Sequence, residues 1–383
     1  MGGVESHPLD FYYINVLIGW NISMKRLKRF LAIVLIGTMA INMIACGEIK
    51  KDNKDNKEEI TLNKYQDIYY DYFDTVSVVI GYEENEDDFK ETSDYIKEEL
   101  KKYNMYYDIY HHYDGITNIM DLNNHAAEGP VKVDKEIIDL LKLGKEVYDI
   151  TDGNTNIAFG AVLSIWHKYR NMGIDDPANA KLPPMKELKK AAKHCDINDV
   201  VIDEENMTVF FKDPKLRLDV GALAKGYATE LVCKELMNKG VDKYILSIGG
   251  NVRSIGTKGD GSKWVAGIQN PDTESEELYI QQVEVKNQAL VTSGSYQRYY
   301  YVGQEKYHHI INKDTLMPNN EWVSVSVLNK DSGMGDALST ALFNMSLEDG
   351  KALIESIDDT EAMWIDAKGN MEYSSGYEQY IVK

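Results

Sequence analysis

The stretch that most constrains the fold is "LDVGALAKGYATELV" (residues 218–232), which changes character halfway along. Its start is apolar and typical of a strand, and its end has the spacing of a helix. Asp219 stands at the change, and Gly221 and Gly226 bracket the residues before the helical pattern. A helix that begins at such a turn offers free backbone N–H groups and the positive end of its dipole. With Lys225 beside it, the turn is suited to an anion such as a phosphate.

The two glycines have the GxxxxG spacing of a P-loop, but the rest of that motif is missing. Tyr227 occupies the lysine position, and Ala228 occupies the position of the Ser or Thr. Nucleotide binding of the P-loop kind is therefore excluded. The sequence allows two roles for Asp219: it lines an anion or metal site, or it caps the helix.

A second stretch, "SGMGDALSTALFNM" (332–345), offers a carboxylate and two hydroxyls at helical spacing: Asp336, Ser339 and Thr340. On a helix that begins near Gly335, the three oxygens lie on one face of the first turn. Such a set suits Mg²⁺, which keeps several waters and shares its other positions with substrate phosphates. The alternative is that these residues only cap the helix start.

The N-terminal region has the pattern of an export signal. Four cations (residues 25–29) precede a run of about sixteen mostly apolar residues, shorter than the roughly 20 that a spanning helix needs. The run ends in "MIACGE", which resembles the lipobox of a bacterial lipoprotein. We therefore predict that residues 1–45 are an upstream extension, with the true start at Met24, and a lipoprotein signal. Cys46 would carry the lipid at the outer face of the cell membrane; a single transmembrane anchor is the alternative.

Residues 46–64 are polar and rich in both charge signs, which is typical of a solvated tether. From residue 65 to 383, strand and helix patterns alternate irregularly without a second linker, so we predict one large α+β domain. The net charge of −20 makes nucleic acid an improbable partner. Cys195 and Cys233 have no metal-ligand spacing, so they are interpreted as structural thiols or, alternatively, one disulfide.

The patterns also predict individual elements. "TVSVVIGY" (75–82) and "LRLDV" (216–220) have the composition of strands, and residues 133–151 have the periodicity of a helix. The pattern of residues 88–111 predicts an amphipathic helix that is followed directly by a second strand. The stretch "YILSIGGNVRSIG", which contains Arg253, predicts a tight hairpin.

Six stretches, taken together and in this order, resemble the ApbE family of FAD:protein FMN transferases over nearly all of residues 65–383. They are "LDVGALAKGYA", "SIGGNVRSIG", "WVAGIQNP", "VTSGSYQRYY", "YHHIINKDTLMP" and "GDALSTALF". The resemblance implies an α+β fold related to the T-fold, with FAD as substrate and Mg²⁺ as cofactor. It also implies transfer of the FMN moiety to a Ser or Thr hydroxyl of an extracytoplasmic acceptor protein, with release of AMP.

The resemblance further implies roles by position. The metal ligands would be the carbonyl of Ala222 with Asp336 and Thr340, joined by Ser339. The FAD site would comprise Asp219, Lys225, the turn of Asn156, Ile157 and Ala158, and the backbone near Ile310. The catalytic residues would be Asp219, Lys225 and His309; His309 and Asp219 both stay candidates for the base that takes the acceptor's proton.

The chain departs from the family's HIIDPxTGxP pattern at Asn312, Lys313 and Leu316, and Gly335 stands where the family usually has Ala. These changes put the geometry of the 309–318 loop in question and remove no predicted metal ligand. Two alternative functions stay open: an FAD pyrophosphatase that uses water in place of the acceptor, and a lipoprotein that binds FAD without chemistry.

Overall fold

A computed structural model describes residues 61–272 and 274–383, which belong to one compact unit. The predicted signal, Cys46 and most of the tether lie outside the described residues. The first strand begins at Asn63, shortly before the predicted start of the domain at residue 65. Within the described residues, no helix is both long and apolar enough to cross a bilayer.

The centre of the domain is an antiparallel sheet of eight strands in the order β1-β2-β6-β7-β10-β13-β14-β15. A three-stranded sheet (β3-β5-β4) and the hairpins β8-β9 and β11-β12 lie apart from it. The strands are β1 (Asn63–Tyr72), β2 (Thr75–Glu83), β3 (Val131–Lys132), β4 (Val200–Asp203), β5 (Thr208–Phe211), β6 (Lys243–Ile248), β7 (Asn251–Gly256), β8 (Trp264–Gln269), β9 (Tyr279–Val285), β10 (Ala289–Gly294), β11 (Tyr299–Val302), β12 (Glu305–His308), β13 (Trp322–Asn329), β14 (Glu361–Asp366) and β15 (Met371–Tyr373).

Helices cover the large sheet in the order of its strands. The helices are α1 (Glu86–Tyr107), α2 (Ile119–His125), α3 (Lys135–Ile150), α4 (Gly160–Asp175), α5 (Met185–Ala191), α6 (Ala224–Asn238), α7 (Ser332–Asn344) and α8 (Leu347–Glu355). Helix α1 lies on β1 and β2, α6 on β6 and β7, and α7 on β10 and β13; α6 contacts both of the others. Helices α4 and α5 pack with the β11-β12 hairpin in a separate apolar cluster.

A buried ion pair fixes how α6 and α7 sit on the sheet. Arg253 in β7 donates to both carboxylate oxygens of Glu230 in α6, at 2.8 and 3.2 Å. Glu230 also accepts the backbone N–H of Ser332, the first residue of α7, at 2.8 Å. Arg253 and Glu230 are both almost fully buried. One carboxylate therefore joins the sheet, α6 and the start of α7.

Most of the individual predictions are confirmed, and two are wrong. The helix predicted at 133–151 is α3, the strand at 75–82 is β2, and β6 and β7 form the predicted hairpin. No strand follows α1, because the Asp108 side chain accepts the N–H groups of Tyr110 and His111 and turns the chain. The stretch 216–220 is not a strand; it makes only an isolated bridge at Arg217. Cys195 and Cys233 are free thiols.

Candidate active site

Helices α6 and α7 approach each other closely at Gly226. A Cβ atom at this position would lie 2.2 Å from the carbonyl oxygen of Ser332 and 2.6 Å from the Cβ of Asp336, so only glycine fits. The approach lets the Gly226 N–H donate to Oδ2 of Asp336 at 2.9 Å. Lys225 Nζ lies 3.5 Å from the same oxygen. The crossing therefore joins the two stretches that the sequence singled out.

The Gly226–Asp336 hydrogen bond completes the start of α6. Gly226 is the third residue of this helix, so its N–H is one of the first donors, which have no acceptor within the helix itself. Asp336 accepts this N–H from α7, and the Ala222 carbonyl, which lies before the N-cap Leu223, accepts no hydrogen bond from the described residues. This free carbonyl, in the turn before α6, is available to a ligand or cation.

Capping does not explain Asp336. Helix α7 begins at Ser332, so Asp336 lies in its second turn and not, as predicted, in its first. The N-cap is Asp331, whose side chain accepts the N–H groups of Gly333 and Met334. The Asp336 carboxylate is only 4% exposed, and its Oδ1 has no hydrogen bond within the described part of the chain. A nearly buried carboxylate with one oxygen free of hydrogen bonds is able to bind a cation.

The two hydroxyls of α7 differ in how firmly they are held. Ser339 is fully buried, donates to the Asp336 carbonyl at 2.9 Å, and lies 2.7 Å from the Ser293 hydroxyl of β10. Thr340 is half-buried, and its hydroxyl lies 3.5 Å from the Ser293 hydroxyl and 3.5 Å from the Asp336 carbonyl oxygen. Thr340 is therefore freer than Ser339 to turn towards a ligand. Sequence reasoning did not assign Ser293, although the period of β10 places it on the same face as Val291, which meets α7 at Gly335.

The turn of residues 156–158 joins the same region through the backbone. The Asp219 N–H donates to the Ile157 carbonyl at 2.8 Å. The Asn156 side chain forms hydrogen bonds within the protein: it donates to the Cys195 carbonyl and accepts the Ala158 N–H. The side chains of Ile157 and Ala158 are buried, so only the backbone of this turn can face a ligand.

Asp219 does not cap α6. The N-cap position is Leu223, which has no side-chain cap, whereas Oδ1 of Asp219 accepts the N–H of Gly221 at 3.0 Å. Asp219 therefore shapes the turn between the extended segment and the helix. Its other oxygen lies 3.8 Å from Nε2 of His167, on α4.

A cationic cluster that sequence reasoning missed lies next to Asp219. His167 and Arg170 project from α4, and His167 Nδ1 lies 3.2 Å from the hydroxyl of Tyr110. Burial, more than the nearby arginines, lowers the pKa of His167; the Asp219 carboxylate opposes that shift. Burial also lowers the pKa of Arg170, and the charge of Arg298 adds to this effect. Arg170 and Arg298 are both charged and lie near each other, so the cluster favours an anion.

His309 belongs to this cluster. Its Nδ1 lies 3.2 Å from the backbone carbonyl of Arg298, which leaves Nε2 with no hydrogen bond among the described residues. Burial, reinforced by the charge of Arg298, holds the pKa of His309 well below its usual value. His309 is therefore neutral near pH 7, with a ring nitrogen free to accept a proton.

His308 and Ile310 serve the structure of the loop. The Ile310 N–H donates to His308 Nδ1 at 3.2 Å, and His308 Nε2–H donates to the Asn319 carbonyl at 2.8 Å. The backbone N–H of Ile310 is thus engaged within the protein. Leu316 stands at the family's glycine position with φ of 59°, where a non-glycine residue is strained. Its side chain is buried, and its carbonyl accepts the indole N–H of Trp166, which offsets that strain.

We expect His308 to make the protein sensitive to acid. Burial lowers the pKa of His308 from 6.5 to about 4. Between these two pH values His308 is protonated in the unfolded chain and neutral in the folded chain. The free energy of unfolding therefore decreases as the pH falls from 6.5 towards 4, by at most about 3 kcal/mol. Denaturant titrations across this range will measure the loss. In His308→Gln this part of the pH dependence is expected to disappear; an unchanged slope would contradict the assignment.

The α+β fold and this site are typical of one class of protein: an enzyme whose site favours an anionic substrate. The model of the ApbE family matches residues 73–364. The chain belongs to the ApbE family, as its sequence predicts, and the predicted fold class is confirmed.

Named relatives agree with this assignment. An FAD:protein FMN transferase of Klebsiella pneumoniae is 29% identical over 260 residues, which cover 68% of this chain and 78% of the relative. One of Treponema pallidum is 30% identical over 269 residues, covering 67% and 72%. The crystal structure of the ApbE protein of Thermotoga maritima matches with a TM-score of 0.72 at 25% identity, covering 84% of this chain and 100% of that one. The flavin transferase ApbE of Vibrio cholerae matches at 0.68 and 22% identity, with the same coverage.

Proposed function

We propose that this protein is an FAD:protein FMN transferase that moves FMN from FAD to a Ser or Thr hydroxyl of an acceptor protein and releases AMP. The names of the relatives and the predicted transferase class agree. The observation that carries the proposal is the meeting of Lys225, the Gly226 N–H and the Asp336 carboxylate at one crossing, with the Ala222 carbonyl left free. This arrangement is suited to a pyrophosphate and its counter-ion.

The reaction needs little from the protein beyond placement and charge. The acceptor oxygen forms a bond to the FMN-side phosphorus, the bond between that phosphorus and the bridging oxygen breaks, and AMP leaves with the bridging oxygen. The Lys225 ammonium neutralises charge that builds on the phosphate oxygens. Asp219 holds the turn before α6 in place through its bond to the Gly221 N–H.

We assign the acceptor's proton to His309 in preference to Asp219. His309 is neutral and has a free Nε2, whereas Asp219 already accepts one hydrogen bond and lies beside His167. Burial keeps the pKa of His309 low, so the ring is unprotonated over the whole neutral range. A neutral imidazole can take the proton as the new P–O bond forms.

Mg²⁺ fits the residues that are present. Asp336, Thr340 and the Ala222 carbonyl, with Ser339 in support, are all oxygen donors, and Mg²⁺ binds through one or two carboxylates plus substrate phosphates and water. No group of three or more His, Cys, Asp or Glu within the described residues suggests another metal. When bound, Mg²⁺ would supply charge neutralisation at the pyrophosphate.

We also propose that the enzyme is anchored by a lipid on Cys46 at the outer face of the cell membrane, where its acceptors are found. The support is the sequence of residues 25–46: cations, a short apolar run and a small residue before the cysteine. Intact mass of the membrane fraction, compared with that of Cys46→Ser, will test it. A protein that stays unlipidated and equal in mass to the unprocessed chain would contradict it.

The transferase proposal is tested with the purified chain, FAD and Mg²⁺, with and without a flavin-acceptor domain. We expect the acceptor to gain the mass of FMN, AMP to appear in equal amount, and both to stop when Mg²⁺ is chelated. AMP and free FMN without labelled acceptor would identify a pyrophosphatase instead. Bound FAD that stays intact under all conditions would identify a carrier.

The pH dependence of kcat/KM tests the base. We expect kcat/KM to stay level as the pH falls from 8 to 6.5 and to decline only at lower pH, where His309 becomes protonated. His309→Gln should lower kcat by roughly a hundredfold and remove this acid limb. If the limb survives in His309→Gln and is lost in Asp219→Asn, then Asp219 is the base.

A further inference from the structure

The outer side of α5 carries a row of exposed lysines. Residues 181–193 contain five lysines and one glutamate, in a chain whose net charge is −20. Leu188 is fully buried in the apolar cluster beneath α5, so the opposite side of the helix faces solvent. The short 3-10 turn Ala192–His194 continues this side of the helix. The residues that we call the lysine face are Lys186, Lys189, Lys190 and Lys193, all exposed and spaced for one helical stripe.

None of the four lysines of the lysine face forms a salt bridge with a residue that the structure describes, whereas Lys142, Lys234 and Lys330 on other elements are each paired with a carboxylate. Two large apolar side chains are exposed on the same pair of contacting helices: Met172 of α4, at 54%, and Met185 of α5, at 37%. Unpaired cations on a helix that also exposes Met185 suit a surface that is anionic outside and apolar beneath.

We propose that the lysine face docks on the anionic headgroups of the bilayer to which the chain is tethered. Each lysine near such a surface contributes about 1 kcal/mol of attraction, which falls off within a Debye length. Met185, one helical turn before Lys189, can enter the interfacial layer. The inference goes beyond the transferase activity and rests on the proposed anchor only for proximity.

The tether makes weak docking sufficient. Residues 46–62, between the proposed lipid and β1, can reach at most about 60 Å, whatever their conformation. The domain therefore stays close to the membrane, and docking becomes an intramolecular event at high effective concentration. Because α5 packs against α4, docking also fixes how α4, which carries His167 and Arg170, is oriented relative to the bilayer.

Lysine acetylation on vesicles tests the proposal with the full chain. The anchored protein is treated with an acetylating reagent on vesicles that contain phosphatidylglycerol and on vesicles of phosphatidylcholine alone. On the anionic vesicles we expect the lysine face to react roughly fivefold or more slowly, a protection that high salt removes. The internal controls, which are also exposed and make no salt bridge with described residues, are Lys90, Lys132, Lys286 and Lys368.

Equal reactivity of the two lysine sets on anionic vesicles would overturn the proposal. So would protection by an acidic acceptor protein without vesicles, which would assign the surface to a protein partner. A variant with all four lysines of the face changed to Gln, compared with one carrying the same change at the four control lysines, gives a second readout. Both should release AMP at the wild-type rate with soluble acceptor. Only the first should lose the preference for anionic vesicles, so this outcome is separable from failure of the transferase assay.

Discussion

Replacing Asp336 with asparagine is expected to slow AMP release from FAD by roughly a hundred- to a thousandfold. The amide is nearly isosteric and its oxygen can still accept the Gly226 N–H, so the crossing of α6 and α7 should survive. What is lost is the negative charge that faces Lys225 and that a cation would bind. The measurement is the rate of AMP formation with saturating FAD and acceptor, over a titration of Mg²⁺. We expect a much weaker response to Mg²⁺ than in the wild type.

Asp331→Asn is the matched control for this variant. It removes the same charge from the same helix, but the side chain can still cap the N–H groups of Gly333 and Met334. The ion pair that it gives up, with Lys234, is at the surface and is worth little. We expect near-normal activity. An Asp336→Asn variant that keeps its circular dichroism spectrum and a rate within threefold of Asp331→Asn would refute the assigned role.

Replacing Glu230 with leucine is expected to lower the free energy of unfolding by about 3–5 kcal/mol. The substitution leaves the buried Arg253 guanidinium without its carboxylate and the Ser332 N–H without its acceptor. Urea or guanidinium unfolding will measure the change. Because the same pair positions α6 and α7, the affinity for FAD should fall even where the variant is folded.

Two further variants separate this effect from a general sensitivity to lost charge. Glu230→Leu combined with Arg253→Met removes both buried charges and should recover most of the lost stability, because no unpaired ion remains. Glu204→Gln breaks the exposed pair with Lys142 and should cost less than about 1 kcal/mol. If Glu230→Leu costs no more than Glu204→Gln, the pair does not hold the helices.

The fold was predictable where one residue pattern decided one element. The apolar spacing of residues 135–150 predicts the helix α3, and the runs of β-branched residues in β2 and β13 predict strands. The pattern failed where a single side chain redirected the chain. Asp108 accepts two backbone N–H groups after α1, and this local bond outweighs the strand propensity of the tyrosines and isoleucine beside it.

The candidate site was predictable only in part, for a similar reason. Asp219, Lys225 and Asp336 stand out because each lies at the glycine-rich start of a helical pattern. Arg170 and Arg298 do not stand out, because the meaning of each depends on the other, and they meet only through tertiary packing. Arg253 lies in the predicted hairpin, but its buried partner, Glu230, occupies what looks like an ordinary position inside a helix.

The contacts that build the site join parts of the chain that are made far apart in time. Thr155 donates to the carbonyl of Ala337, 182 residues later, and Lys225 meets Asp336 across 111 residues. No partial chain that ends before α7 contains the crossing at Gly226. If the protein is exported unfolded, as the proposed lipoprotein signal would require, it leaves the cytoplasm without FAD. Its flavin substrate must then reach it outside the membrane, so the supply of extracellular FAD, and not the cytoplasmic pool, sets when the newly folded enzyme can begin to work.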